Sequence, residues 1–379
     1  MYRSVLVPLI LPLALACSAD PTSMDGGSAP DDGTLQDRRP VGDAIVECRY
    51  ALPVDIIWVV DNSNSMEEEQ ASLAANFPSL ISLLTNPPDA DDDGMEDWPA
   101  LNDLRMAMVT TDFGVGDNSV VGCTASGDRG EFISSSRAAD PGCSDYTIPS
   151  GSWLTYGGGS SDALSTGFEC LARLGTDGCG LEQQLESVRS AITDRMAAGE
   201  TNEGFFRPDS LIAIIFVTDE DDCSASDDSF FSTSASAVTE LGPLSNRCGN
   251  HPGRLHPVSR YITAFRDLEL DRRGNVIISA ITGVPPELVR NPSAIDYTAL
   301  LADERMQIRP DPERPTRLAP ACEYGGVGSA APARRIVEVV QDFAEDGHGL
   351  VQSICQTDLR PAIEAIARSI AGRLCPPPI

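Results

Sequence analysis

Oxygen-bearing side chains alternate in Asp61-Asn62-Ser63-Asn64-Ser65, directly after the nearly all-apolar run Val54–Val60. That run is short and rich in Val and Ile, the pattern of a strand buried on both faces. In an open α/β sheet, ligands sit at the carboxyl ends of strands. One carboxylate and two hydroxyls converging there suit a hard divalent cation better than they suit a nucleophilic serine. A second apolar run, Leu211–Val217, ends in Thr218-Asp219 and supplies another carboxylate.

Other constellations carry less chemistry. Asp89-Ala90-Asp91-Asp92-Asp93-Gly94-Met95-Glu96-Asp97 places Asp89, Asp91 and Asp93 as a calcium loop does, with Gly94 at the sharp turn and Asp97 nearby. Ala100 stands where an EF-hand has its bidentate Glu, so only a truncated Ca²⁺ loop, of the dockerin or thrombospondin-repeat kind, or a solvated acidic loop fits. Glu220, Asp221 and Asp222 either bind a second cation or deepen the negative field. Cys248, His251 and His256 are too few and too irregularly spaced for zinc. No Gly-x-Ser-x-Gly or His-Glu-x-x-His motif occurs, there are 3 histidines, and lysine is absent. Phosphate-loop, Schiff-base and lysine-base chemistry are thereby excluded, and no enzymatic activity is expected.

Composition sets the address. The net charge of −30 over 379 residues argues against nucleic acid, whose binding needs basic groups at phosphates. Arg3, the apolar stretch 5–16 and Cys17 read as a secretory signal, too short to span a bilayer. Leu13-Ala14-Leu15-Ala16-Cys17 resembles a bacterial lipobox, with Cys17 as the lipidated residue; Ala14 replaces the usual Leu. Setting Cys17 aside from the 11 cysteines leaves an even number, as disulfides in an oxidising compartment require. Residues 18–45 have the Ser, Asp, Gly and Pro content of a disordered tether.

These residues must be held by regular elements. Helical spacing follows from Ser65 to about Leu84, and a strand is expected over 105–110. A helix is marked by Leu181, Leu185, Val188, Ile192 and Met196. Beyond Leu211–Val217, the pattern predicts a helix over 257–269, a strand over 275–281, a helix over 332–345, a strand over 349–354 and a last helix over 358–374. Such alternation implies an α/β fold, a doubly wound and mostly parallel sheet. Residues 114–175, rich in Gly, Ser and Asp with three cysteines, read as a disulfide-bonded insertion in a single domain spanning 46–375.

The pair Asp-x-Ser-x-Ser after one buried strand and Thr-Asp after a later one resembles the metal-ion-dependent adhesion site (MIDAS) of von Willebrand factor type A domains. The resemblance covers about 48–375. It implies Mg²⁺ or Mn²⁺ held directly by Ser63 and Ser65, with Asp61 and Asp219 acting largely through water. It also implies a loop threonine, and here the sequence departs: Cys179 falls near the expected position, leaving Thr176 or Glu182 to substitute. The competing reading of Ser65 is a capping box with Glu68. In that fold the chain ends meet, implying Cys48–Cys375. Neighbours in sequence give Cys123–Cys143, Cys170–Cys179, Cys223–Cys248 and Cys322–Cys355. The resulting expectation is an exported lipoprotein of the outer membrane or cell surface. It would meet the membrane only through its lipid and bind a protein or surface ligand that presents a carboxylate. A structural envelope protein with a vestigial site, and a secreted enzyme with an unrecognised one, are the alternatives.

Overall fold

The computed structural model describes residues 51–374, apart from 91, 93, 140, 271–274 and 326–327. In chain order the described elements are β1 (Val54–Val60), α1 (Glu67–Thr85), β2 (Leu104–Thr110), β3 (Leu154–Tyr156), α2 (Asp162–Ala172), α3 (Gln184–Ile192), β4 (Leu211–Val217), α4 (Ala235–Leu241), α5 (Leu244–Asn250), α6 (Val258–Leu270), β5 (Val276–Thr282), α7 (Tyr297–Ala302), β6 (Cys322–Tyr324), β7 (Gly328–Ala330), α8 (Arg334–Ala344), β8 (Gly349–Ser353) and α9 (Arg360–Ala371). Six strands form one sheet in the order β3-β2-β1-β4-β5-β8, and β6 pairs with β7 in a separate hairpin. All pairings in the large sheet are parallel except β2 with β3. The fold is therefore α/β, with a mostly parallel sheet flanked by helices.

Every residue of β1, β4 and β5 is buried, which explains their continuous rather than alternating apolar sequences. Side chains still alternate between faces. Ile56, Trp58 and Val60 pack with Phe77, Phe168 and Ile366 of α1, α2 and α9. Ile57 and Val59 join Val188, Phe265 and Val340 of α3, α6 and α8. Trp58 meets Phe168 edge-on at 5.2 Å between ring centroids, and Phe168 stacks on Phe77 at 3.5 Å. Pro78 lies inside α1 without ending it.

Asp55 is a buried carboxylate in the first half of β1, away from the motif at the strand's end. It accepts hydrogen bonds from the backbone N–H and Nε of Arg207, both 2.9 Å, and from Ser210 Oγ at 2.7 Å. Arg207 also pairs with Asp103. Removing one partner of such a pair leaves a bare buried charge, so Asp55→Ala should cost about 3–5 kcal/mol, read by urea unfolding. A cost under about 1 kcal/mol would show that the pair is not needed.

Two features differ from expectation. The stretch 114–175 contains β3 and α2, which join the main sheet and the helical layer on the Trp58 face. Within it, Cys123 pairs with Cys179 and Cys143 with Cys170, correcting Cys123–Cys143 and Cys170–Cys179. The reason is topological: the cysteines nearest in sequence are not nearest in space. Cys143 is held against α2, whose Cys170 lies 5.0 Å away between Cα atoms. The loop after α2 crosses to the segment following β2, bringing Cys179 within 4.2 Å of Cys123. Cys223–Cys248 and Cys322–Cys355 form as expected. Cys48–Cys375 and Cys17 lie outside the described residues. The flanking Leu52 N–H does donate to the Leu374 carbonyl at 2.9 Å, so the two ends of the described chain meet.

Candidate metal centre

Parallel pairing in register delivers two acidic loops to the same end of the sheet. Val60 of β1 is level with Val217 of β4, so Asp61 and Thr218-Asp219 emerge side by side. The Asp61 N–H donates to the Val217 carbonyl at 2.9 Å. Asp61 is fully buried and anchored from both sides: Oδ1 accepts from the Ser63 N–H at 2.8 Å, and Oδ2 from Thr218 Oγ1 at 2.6 Å. Thr111 Oγ1 approaches Oδ1 at 3.4 Å. Gln184 Nε2 donates to Thr218 Oγ1 at 3.0 Å, and Gln70 Nε2 to the Asp61 carbonyl at 2.8 Å.

Ser63 and Ser65 face each other, their hydroxyls 3.3 Å apart. The capping-box alternative is not formed: α1 begins at Glu67 with Met66 at its N-cap and no side-chain cap bond. Ser65 is thus spent on the strand-end cluster and not on its helix. One oxygen of Asp219, Oδ1, is buried with no hydrogen-bond partner among the described residues, and so are Asn62 Oδ1 and Gln184 Oε1. Buried polar oxygens ordinarily find donors, so each of these three needs an ordered water or an ion. The oxygen-only donor set fits a hard cation such as Mg²⁺ or Mn²⁺. Among the described residues no three His, Cys, Asp or Glu side chains converge as a metal-binding group, so such an ion would rely on the serine hydroxyls and on water.

Carboxylates crowd the site. Burial, then the charges of Glu220 and Asp61, push Asp219 well above the ordinary range. Burial likewise raises Asp61, against its hydrogen bonds from Thr218 and Ser63. Glu182 is raised by burial and by Asp61 and Glu220, and Glu220 itself is pushed to about 7 by burial and Asp61. A cavity of about 320 Å³ is lined by Ser63, Ser65, Glu182 and Glu220 together with Arg314 and Arg317. Ser329 and Ala330 of the β6–β7 hairpin also line it; next to them the Ala331 N–H donates to the Asp219 carbonyl at 2.8 Å, and Tyr324 Oη donates to Glu69 Oε1 at 3.1 Å.

Of the residues picked from sequence, Asp61, Ser63, Ser65 and Asp219 are brought together. Thr176 is half-buried in the loop after α2 and does not line the cavity; Glu182 from the same connection does. Asp221 and Asp222 are used structurally. Asp221 accepts from the Arg335 N–H at 3.0 Å at the start of α8, and Asp222 from the Leu185 N–H at 2.8 Å at the start of α3. Asp89 and Asp97 bond loop backbone, accepting from the N–H groups of Gly94 at 3.0 Å and Ala90 at 3.1 Å, while Asp91 and Asp93 lie outside the described residues. Thr111, Gln70, Gln184 and Arg317 are not legible in sequence as site residues, because their roles depend on contacts across the fold.

No protein-family model matches the chain, and no curated protein matches it. Among solved structures, it is similar to the PilB minor pilin from Streptococcus sanguinis at 10% identity and TM-score 0.35, over 86% of this chain and 62% of that one. It is also similar to proximal thread matrix protein 1 from the mussel byssus, at 11% identity and TM-score 0.27 over 62% and 38% of the two chains. Human COPII-coat protein Sec24c follows at 12% and 0.27, over 68% and 28%. The chain thus spans less than two thirds of each of these proteins, and at these scores none carries an argument about function.

Proposed function

We propose that this chain is a von Willebrand type A-like binding module, a doubly wound domain that engages its partner through a divalent cation at the end of β1. The observation that carries the reading is the orphaned, buried Asp219 Oδ1 beside paired Ser63 and Ser65 hydroxyls. In this reading Ser63 and Ser65 hold Mg²⁺ or Mn²⁺, and Asp61 and Asp219 supply neighbouring charge. When bound, the ion supplies an electrophilic point for an outside oxygen. Asp61 keeps the serine loop in place through its bonds to Ser63 and Thr218, and Arg317 offers a positive group to a ligand carboxylate entering the cavity.

The partner is a protein or other surface molecule presenting a carboxylate. Four disulfides among the described residues fit an exported protein, and none of the described helices is long and apolar enough to cross a membrane. We place the protein at the cell surface or outer membrane, anchored through lipid on Cys17. Calorimetric titration of the full chain with Mg²⁺ and Mn²⁺ tests the reading, and saturable binding of one ion is expected. Absence of binding by both ions would leave a vestigial site and overturn it.

A further inference from the structure

A second cavity, of about 300 Å³, adjoins the one that Ser63 and Ser65 line, sharing Gly180, Glu182, Glu220, Ser245 and Leu318 with it. Residues 220–223, which follow β4, line it too, so it lies at the sheet end where open α/β folds hold ligands. Its walls are mostly apolar: Leu181, Leu244, Pro252, Ile308, Leu318 and both cysteines of Cys223–Cys248. An apolar chamber of this size with a few polar groups has the make-up of a small-molecule site. Its donors are already spent. Arg335 donates through Nε to Asp222 Oδ2 at 3.1 Å and through Nη2 to the His256 carbonyl at 2.7 Å. Arg334 Nη1 serves the Leu301 and Met306 carbonyls at 2.9 and 3.0 Å, and Ser245 Oγ the Thr316 carbonyl. Asp221 and Asp222 are occupied as acceptors at the starts of α8 and α3. The carboxylates of Glu182 and Glu220 remain, and no other described residue donates a hydrogen bond to either. Glu182 is 6% exposed, and its carboxylate lies over the shared Gly180, where a Cβ would stand 3.8 Å from Oε1.

A nearly buried carboxylate without a donor costs free energy unless a positive group answers it. Arg317 acts on Glu220 through charge alone and is itself exposed. A metal ion suits this chamber poorly, because it wants a shell of oxygens and most of the wall is apolar. An ammonium group needs only one or two carboxylates, and the carbon body it is carried on suits the rest of the wall. We infer that this cavity binds a small organic cation, an amine on an apolar body, with its charged head at Glu182 and Glu220 and its body among Leu181, Leu244, Ile308 and Leu318. This is a second binding function, and it does not use the divalent cation.

The test is a ligand-observed NMR titration of the full chain with phenethylamine, in EDTA and at pH 8, above the value of about 7 to which burial pushes Glu220. Saturable binding on the order of millimolar or tighter is expected. Phenethyl alcohol keeps the body and lacks the charge; ethylamine keeps the charge and lacks the body. Each should bind at least about tenfold more weakly. Glu182→Gln should weaken phenethylamine by about tenfold and leave phenethyl alcohol unchanged. No saturation below about 10 mM, equal binding of the alcohol, or undiminished binding by Glu182→Gln overturns the inference. Should Glu182→Gln fail to fold, Glu220→Gln carries the same expectation, and the three ligands compared on the wild type decide without any variant. Because chelator is present throughout, a chain that takes up phenethylamine but no Mn²⁺ keeps this site and removes the divalent one.

Discussion

Asparagine at position 61 should abolish cation-dependent stabilisation while leaving the fold intact. Asp61 has no solvent exposure and its carboxylate touches Ser63 and Thr218. Asparagine keeps the volume and can still accept from the Ser63 N–H, and the Thr218 hydroxyl can turn to accept from the new amide. What it cannot supply is charge. A ligand that binds only the folded state stabilises it by RT ln(1 + [L]/Kd), about 2.7 kcal/mol when its concentration is one hundred times Kd. Wild-type protein should gain that amount on addition of Mn²⁺, and Asp61→Asn should gain essentially nothing. In chelator the variant should melt no lower than the wild type, because it removes a carboxyl whose burial disfavours the charged form. Paired thermal melts with EDTA and with Mn²⁺ measure both. An unchanged Mn²⁺ shift in Asp61→Asn would place the ion elsewhere.

The second large effect is on pH. Asp61, Glu182, Asp219 and Glu220 are all pushed above the ordinary carboxylate range, Glu220 to about 7. The folded protein therefore holds more protons than the unfolded chain between about pH 4 and pH 7, and the cation-free fold loses stability as pH rises through that window. For Glu220 alone the loss is on the order of 3 kcal/mol. His256 and His348, pushed down by burial, oppose this trend near their ordinary value by gaining stability as pH rises. Asp128 and Asp303, held low by arginines, contribute only below the ordinary carboxylate range. Comparing melts with and without Mn²⁺ at each pH cancels these background groups. The Mn²⁺ shift should grow steadily from pH 5.5 to 8, as the cation neutralises charges that the bare site cannot tolerate. A shift independent of pH would mean that these carboxylates do not face the ion.

The parts legible in sequence are those whose cause is local. β1, β4 and β5 announce themselves because strands buried on both faces must be apolar throughout. The Asp-x-Ser-x-Ser turn and Thr218-Asp219 are legible because each directly follows such a strand. β3 has three residues, follows a Gly- and Ser-rich stretch and pairs antiparallel at the sheet's edge, so it carries almost no periodic signal. The α2 helix holds Gly167 in its interior, against Tyr146 and Leu154, and reads as loop on propensity. The Cys123–Cys179 pairing spans 56 residues and follows from how one loop crosses another, which spacing does not encode. Thr176 and Glu182 could not be ranked from sequence. Their distance from α3 is clear in the chain, but which one lines the cavity with Ser63 and Ser65 depends on how the connection from α2 to α3, tied by Cys123–Cys179, crosses the end of the sheet.

The hydrogen bond between Leu52 and Leu374 fixes an orientation as well as a closure. Both ends of the described chain lie beside the start of β1, while the Asp61–Ser65 loop sits past its far end, about 20 Å of strand away. The described domain thus has one pole where its chain enters and leaves and an opposite pole that carries the acidic loops. A probe attached at Leu52 or Leu374 would start a full strand length from the cavity lined by Ser63 and Ser65.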